Sequence, residues 1–290
     1  MSAYDFLIGP FAEFSFMRRA LAGILILSLG AAPIGVFLML RRMSLIGDAM
    51  AHAILPGAAI GYMISGLSLG AMTAGGLVAG FVVAILAGLV AHSTSLREDA
   101  SLAAFYIVSL AAGVTLLSAR GSNVDIFRVL FGSILGLDNE TLLLMVAVTG
   151  LTLIALALLL RPMVLEFVDP IFLSTQSRIG PFVHLTFLGL VVLNLVGAFH
   201  ALGTLLAVGI LVLPAATARL WTVRLPAMLA FAVMDALTAG YLGLLLSYHA
   251  GLASGPTIIL VAGAFYLISI IVGRAGGIVR QLRPRSHFRA

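Results

Sequence analysis

Residues 255–273 read GPTIILVAGAFYLISIIVG, with no charged side chain from end to end. A helix of about 20 apolar residues is long enough to cross the hydrocarbon core of a bilayer. The stretch therefore predicts a membrane span. Working outward from it, comparable runs occupy 19–40, 44–66, 71–92, 100–118, 139–160, 182–200, 203–220 and 226–247, nine candidate spans in all. Almost nothing separates 182–200 from 203–220, so either of that pair is a candidate for a broken or re-entrant segment. The predicted fold class is all-α: a polytopic transmembrane helical bundle of eight to nine spans. No internal repeat and no long linker divides the chain, so 1–290 is read as a single domain.

Composition agrees with this reading. Hydrophobic residues make up 62% of the 290 and charged residues 9%, with a mean hydropathy of +1.19. A soluble domain carries about 25% charged residues, so this chain has too few to cover a water-facing surface, and the lipid bilayer is its expected solvent. There is no cysteine, which excludes disulfides and thiolate metal sites. There is also no lysine, so all 16 positive charges are arginine. A P-loop requires Gly-x-x-x-x-Gly-Lys-Ser/Thr. If ATP drives this protein, a separate subunit must bind it. The net charge of +5 is scattered between apolar runs, which reads as topology rather than as a nucleic-acid surface. The first 15 residues carry Asp5 and Glu13 and no basic stretch, unlike a cleaved signal peptide.

Arginine placement orients the bundle. With nine spans and the C-terminus inside, the outer segments hold only Arg18, Arg19, Arg120 and Arg128, and the other twelve arginines lie inside. The N-terminus is then outside; an eight-span chain with its N-terminus inside is the alternative. Residues 124–137 (VDIFRVLFGSILGL) are too short to span. Asp125, Arg128, Gly132 and Gly136 recur every three or four residues there, which predicts a short interfacial or re-entrant helix. Gly57 with Gly61, and Gly75-Gly76 with Gly80, allow helices to approach closely.

Ionisable residues inside spans are the natural functional candidates, because burying them is costly without compensation. Asp48 and His52 lie four apart in the run GDAMAHAILPG and project from one helical face. A carboxylate and an imidazole one turn apart form half a site for zinc or manganese. Two ligands are too few for a structural site and suit an ion that must leave again. Pro56 and Gly57 can break the helix beside the pair. An equally open reading has Asp48 capping the helix and pairing with Arg41 or Arg42, while His52 packs. Asp235, in the middle of its span, either lines the pathway or pairs with a buried polar group, the pairing being preferred. Asn194, His200 and His249 are weaker metal candidates. The polar stretch 161–181 is a candidate docking loop or a plain connection. No His-Glu-x-x-His and no Ser, His and Asp constellation points to an enzyme.

The run from Arg41-Arg42 through Gly47-Asp48-Ala-Met-Ala-His52 to Pro56-Gly57 resembles the signature of the permease subunits of zinc, manganese and iron ABC importers. Arg97-Glu98-Asp99-Ala100, Leu130-Phe131-Gly132-Ser133, Gly203-Thr204 through Pro214-Ala-Ala-Thr-Ala218, and Ser247-Tyr248 with Ser254-Gly255-Pro256 resemble further family elements in the same order. Two stretches depart from the family pattern: His249 to Ala253 lacks an acid and a proline, and Asp169 and Gly180 are widely spaced.

The resemblance implies a homodimer of the permease in the bacterial inner (plasma) membrane. It implies a cytoplasmic ATPase dimer, met through 161–181, and a periplasmic or surface metal-binding protein that delivers the ion. It also implies that Asp48 and His52 line the pathway. No cofactor is expected to be tightly bound. The expected cargo is a divalent cation, zinc first because imidazole suits it, with manganese or ferrous iron as alternatives. The competing function is an ion-coupled secondary transporter using midplane acids such as Asp235.

Overall fold

The computed structural model describes residues 3–43, 45–66, 68–94, 98–119, 134–169, 172, 173, 175, 177 and 179–279. Most of these residues are helical, with no strand among them. Two short helices, α1 (Ala3–Leu7) and α2 (Gly9–Glu13), precede the long α3 (Ser15–Leu40). Then come α4 (Ile46–Ala53), α5 (Leu55–Ser65), α6 (Leu69–Ser93), α7 (Glu98–Ala119) and α8 (Asn139–Val168), followed by α9 (Gly180–Trp221), α10 (Leu225–Ala250) and α11 (Ser254–Val272). Among the described residues, seven segments are long and apolar enough to cross a membrane. The shorter apolar stretch Ala100–Leu116 lies within α7, and α4 with α5 makes one interrupted crossing.

The adjoining pair 182–200 and 203–220 resolves into a reversal. Gly203 has φ 75° and ψ 167°, a conformation essentially confined to glycine. The first arm, Gly180–Phe199, starts with His184 against Arg41 at the end of α3 and passes Gly30 at Asn194. It therefore runs antiparallel to α3. The second arm, Gly203–Trp221, passes Ile259 at Gly209, and Trp221 Nε1 donates to Ser269 Oγ at 2.8 Å near the end of α11. It therefore runs parallel to α11. The chain crosses twice here, and the N-terminal helices and the end of α11 lie at opposite ends of the bundle, as the nine-span reading requires. Arg41, Arg42, Arg219, Arg224 and Arg274 cluster at the end where α3 stops and α10 starts.

Local signals set several helix ends. Asp138 caps α8, its Oδ1 accepting from the Thr141 N–H at 2.8 Å, which is worth about 1 kcal/mol. Hydrogen bonds from Thr141 hold this carboxyl below the usual carboxylate range. Apolar residues after Arg161 continue the helical pattern, so α8 runs to Val168 despite Pro162. The stretch 161–181 thus continues α8 as far as Val168, and among the described residues of 169–179, which connects α8 to α9, Phe172, Leu173 and Thr175 are helical as well. Of the short helix expected over 124–137, all but 134–137 lies outside the described residues; Ile134–Gly136 form a 3-10 turn with Ile134 buried.

The glycine pairs pack as expected. A Cβ on Gly57 would be driven onto the Gly75 carbonyl and would lie 2.6 Å from Ala79 Cβ, so α5 and α6 meet backbone to backbone. Gly80 leaves room for Val192 of the first α9 arm. Near the end where α3 stops, Phe37 and Phe187 are fully buried, and Phe167 meets Phe187 with ring centroids 4.9 Å apart.

A candidate metal pathway on the interrupted helix

The span read over 44–66 is interrupted where the sequence predicted. Helix α4 ends at Ala53 and α5 begins at Leu55, with Pro56 in its first turn. Proline has no N–H to give to the carbonyl four residues back, which belongs to His52. Ser109 Oγ of α7 reaches the carbonyl of the next residue, Ala53, at 3.0 Å. Gly113 of α7 lies against Pro56, where a Cβ would approach to 3.1 Å from Pro56 Cα. The break is therefore braced by α7 on one side and by the α5–α6 glycine contact on the other.

Asp48 and His52 sit one turn apart on α4, before this break. His52 Nε2 lies 3.7 Å from Asp48 Oδ1, beyond hydrogen-bond length. The Asp48 side chain is 58% exposed and that of His52 26%. The His52 ring stacks near Tyr106 with centroids 6.1 Å apart, and its Nδ1 is buried with no hydrogen-bond partner. Asp48 does not cap the helix, since the cap position is Leu45 and no side-chain cap bond forms. Arg41, one of the two arginines offered by the competing reading as its ion-pair partner, contacts His184 and Phe167. The geometry is two donors held side by side on an accessible face, not hydrogen-bonded to each other.

Residues 13–273 match the ABC 3 transport family. The chain belongs to that family. It is similar to the manganese transport system membrane protein MntC of Halalkalibacterium halodurans, at 30% identity over 97% of this chain and 95% of that one. It is also similar to the manganese import system permease protein ScaB of Streptococcus parasanguinis, at 31% identity over 90% of this chain and 91% of the relative. Among solved structures it resembles PsaBC from Streptococcus pneumoniae in complex with Fab, with a TM-score of 0.83, 29% identity, and coverage of 95% of this chain and 98% of that one. This ABC 3 family member is thus a multi-pass protein of the bacterial plasma membrane.

The weaker candidates of this family member lie on other helices, α9 and α10. Asn194 is buried where α3, α8 and the first arm of α9 meet. Its Nδ2 donates to Thr152 Oγ1 at 2.8 Å and to the Leu190 carbonyl at 2.8 Å. Thr149 Oγ1 donates to the Ile26 carbonyl at 3.1 Å across the same junction. Asn194 is therefore engaged in an interhelical polar staple. His249 is exposed at the α10 end, its ring stacked 4.1 Å from Phe6 and its Nε2 donating to the Phe6 carbonyl at 3.0 Å. Asp235 is buried in α10, and its Oδ2 has no hydrogen-bond partner, so this oxygen lacks the polar partner preferred for it. His200 falls in α9, but its side chain lies outside the described residues. No group of three or more His, Cys, Asp or Glu stands together among the described residues.

Sequence reasoning missed Tyr106 and His184. Each is brought beside a motif residue only by the packing of a distant helix, and neither carries a local signal of its own.

Proposed function

We propose that the chain is the permease subunit of an ATP-driven importer of a divalent metal, with manganese as its first-choice cargo. The observation that carries this reading is the accessible Asp48–His52 pair on an interrupted membrane helix of an ABC 3 family member. Two donors 3.7 Å apart with metal bonds of about 2.1 Å would subtend roughly 120° at a shared ion, so one cation can take both. Carboxylate and imidazole suit zinc and manganese alike. The relatives' names, all manganese systems among those given above, move the first choice from zinc to manganese.

A carboxylate 58% exposed on a membrane helix would face hydrocarbon at a cost of about 3 kcal/mol or more. A second copy of the chain over the α4 face would remove that cost. Two copies would also double the donor set to four, still open enough for transit. A homodimer is therefore part of the proposal, as are an ATPase dimer at the arginine-rich end and a delivering metal-binding protein at the other.

Reconstitution tests it. With its ATPase partner in proteoliposomes, the chain is expected to move manganese only when ATP is hydrolysed. Purified alone it should neither bind nor hydrolyse ATP. Hydrolysis by the rigorously purified chain, or ATP-independent uptake, sinks the reading. For docking, Leu173 is a poor probe because it is buried, whereas Phe172 is 47% exposed and Thr175 is exposed as well. A single cysteine at Phe172 or Thr175 is expected to crosslink to the ATPase. Labelling of both positions only from the outer side would invert the topology.

A further inference from the structure

We infer that Arg41 is a positioning residue that ties the metal-bearing helix to the segment where the ATPase docks. The inference rests on the proposed function and adds to it a physical link between the metal pair and the docking segment, a link on which that proposal is silent.

The link starts at the end of α3. The Arg42 N–H bonds the Met39 carbonyl at 3.2 Å, and the Met43 N–H bonds the Leu38 carbonyl at 2.9 Å. These are the two bonds of a Schellman motif. The motif needs a left-handed residue at the position taken by Arg42, which has φ 60°. Glycine is the usual choice there, so this turn holds an arginine against the backbone preference. Met43 is buried, and three residues later α4 begins. Gly47, in the first turn of α4, fits against Leu211, where an added Cβ would come within 3.0 Å. The exit from α3 and the entry into α4 are therefore both fixed, and Asp48 is the third residue of α4.

The Arg41 side chain reaches from this turn to α8 and α9. Its guanidinium lies over the Phe167 ring, 4.8 Å from the centroid, in the last turn of α8. Its Nη1 meets His184 Nδ1 near the start of α9. An arginine only donates, so this nitrogen of His184 is the acceptor. Helices α8 and α9 bracket residues 169–179. One side chain, rooted five residues before α4 starts, thus holds both ends of the bracket. If the ATPase shifts that bracket relative to α3, either the Arg41 contacts break or the turn at Arg41–Met43 moves with it and carries Asp48 along. A purely structural role predicts that assembly and uptake fall together. A coupling role predicts that hydrolysis survives while transport per hydrolysis falls.

The complete transporter in proteoliposomes distinguishes these outcomes, with manganese uptake and ATP hydrolysis measured in the same vesicles. Arg41→Gln is expected to retain the ATPase and hydrolyse ATP at near wild-type rate, while metal moved per ATP falls by at least about fivefold. His184→Ala should change the ratio in the same direction, and the double variant should be no worse than Arg41→Gln alone, because His184 acts on this link through Arg41. An unchanged ratio in Arg41→Gln and in His184→Ala overturns the inference. If Arg41→Gln does not assemble, His184→Ala decides; loss of assembly in both makes the contact structural and also overturns it. Wild-type vesicles that show no ATP-driven uptake would instead count against the proposed function itself.

Discussion

Asp48→Asn is expected to cut metal uptake by roughly tenfold to hundredfold, at least the loss seen when a group supporting a metal ligand is removed. The replacement keeps the volume and a polar oxygen and removes the charge that draws a divalent cation. Stability should barely change, because the side chain is 58% exposed and makes no cap bond. His52→Ala should lower uptake comparably, since it removes the only other donor of the pair. Uptake is read against membrane abundance and ATPase retention in the same preparation. Wild-type uptake by both variants would remove the pair from the mechanism. Had Asp48 served as a helix cap, asparagine would have been nearly silent, being itself a good cap.

Gly57→Val is expected to abolish accumulation of folded protein. Its Cβ would collide with the Gly75 carbonyl and lie 2.6 Å from Ala79 Cβ, and neither backbone can step aside without separating α5 from α6. Overpacking by side chains alone costs about 1–3 kcal/mol; a clash with backbone exceeds what rotamer changes can relieve. Because Pro56 and the α4–α5 break sit next to this contact, the variant also removes the brace of the metal helix. Gly88→Ala is the matched control: nothing lies within 4 Å of an added Cβ there, and alanine is the better helix former by about 1 kcal/mol. Membrane abundance and the monodispersity of the detergent-extracted protein measure both. Normal levels of folded Gly57→Val would show that the two helices do not meet through these glycines.

Much of this architecture was legible because lipid demands it. Each crossing must satisfy its own backbone polar groups, so an uncharged run of the right length can hardly be anything but a helix. The 255–273 run was therefore read without ambiguity. The pairing of Gly57 with Gly75 was half legible: small residues announced a close contact but not its partner. The reversal at Gly203 was visible only as a missing connection, since three residues between two apolar runs left broken, re-entrant and reversing geometries all open. The extent of α8 was misjudged because Arg161 and Pro162 looked like a boundary, whereas the apolar residues beyond them sustain another two turns.

At the candidate site, the i, i+4 spacing of Asp48 and His52 and the proline after them could be read directly. Tyr106 and His184 could not, because what brings each to its neighbour is tertiary packing between helices far apart in sequence. Asn194 shows how packing can engage a residue singled out from sequence. A polar residue in a span looks functional from sequence, yet here its amide is taken up by Thr152 and Leu190.

The turn at Gly203 has a consequence for biogenesis. Its two arms are joined with no polar stretch between them, so neither arm can settle in the bilayer while its sibling waits in water. They must partition as one hairpin. That hairpin sets the parity of everything after it: with one arm missing, α10 and α11 would thread in reverse and carry Arg224 and Arg274 to the wrong face. A single glycine that tolerates φ 75° therefore governs the sidedness of the last quarter of the chain.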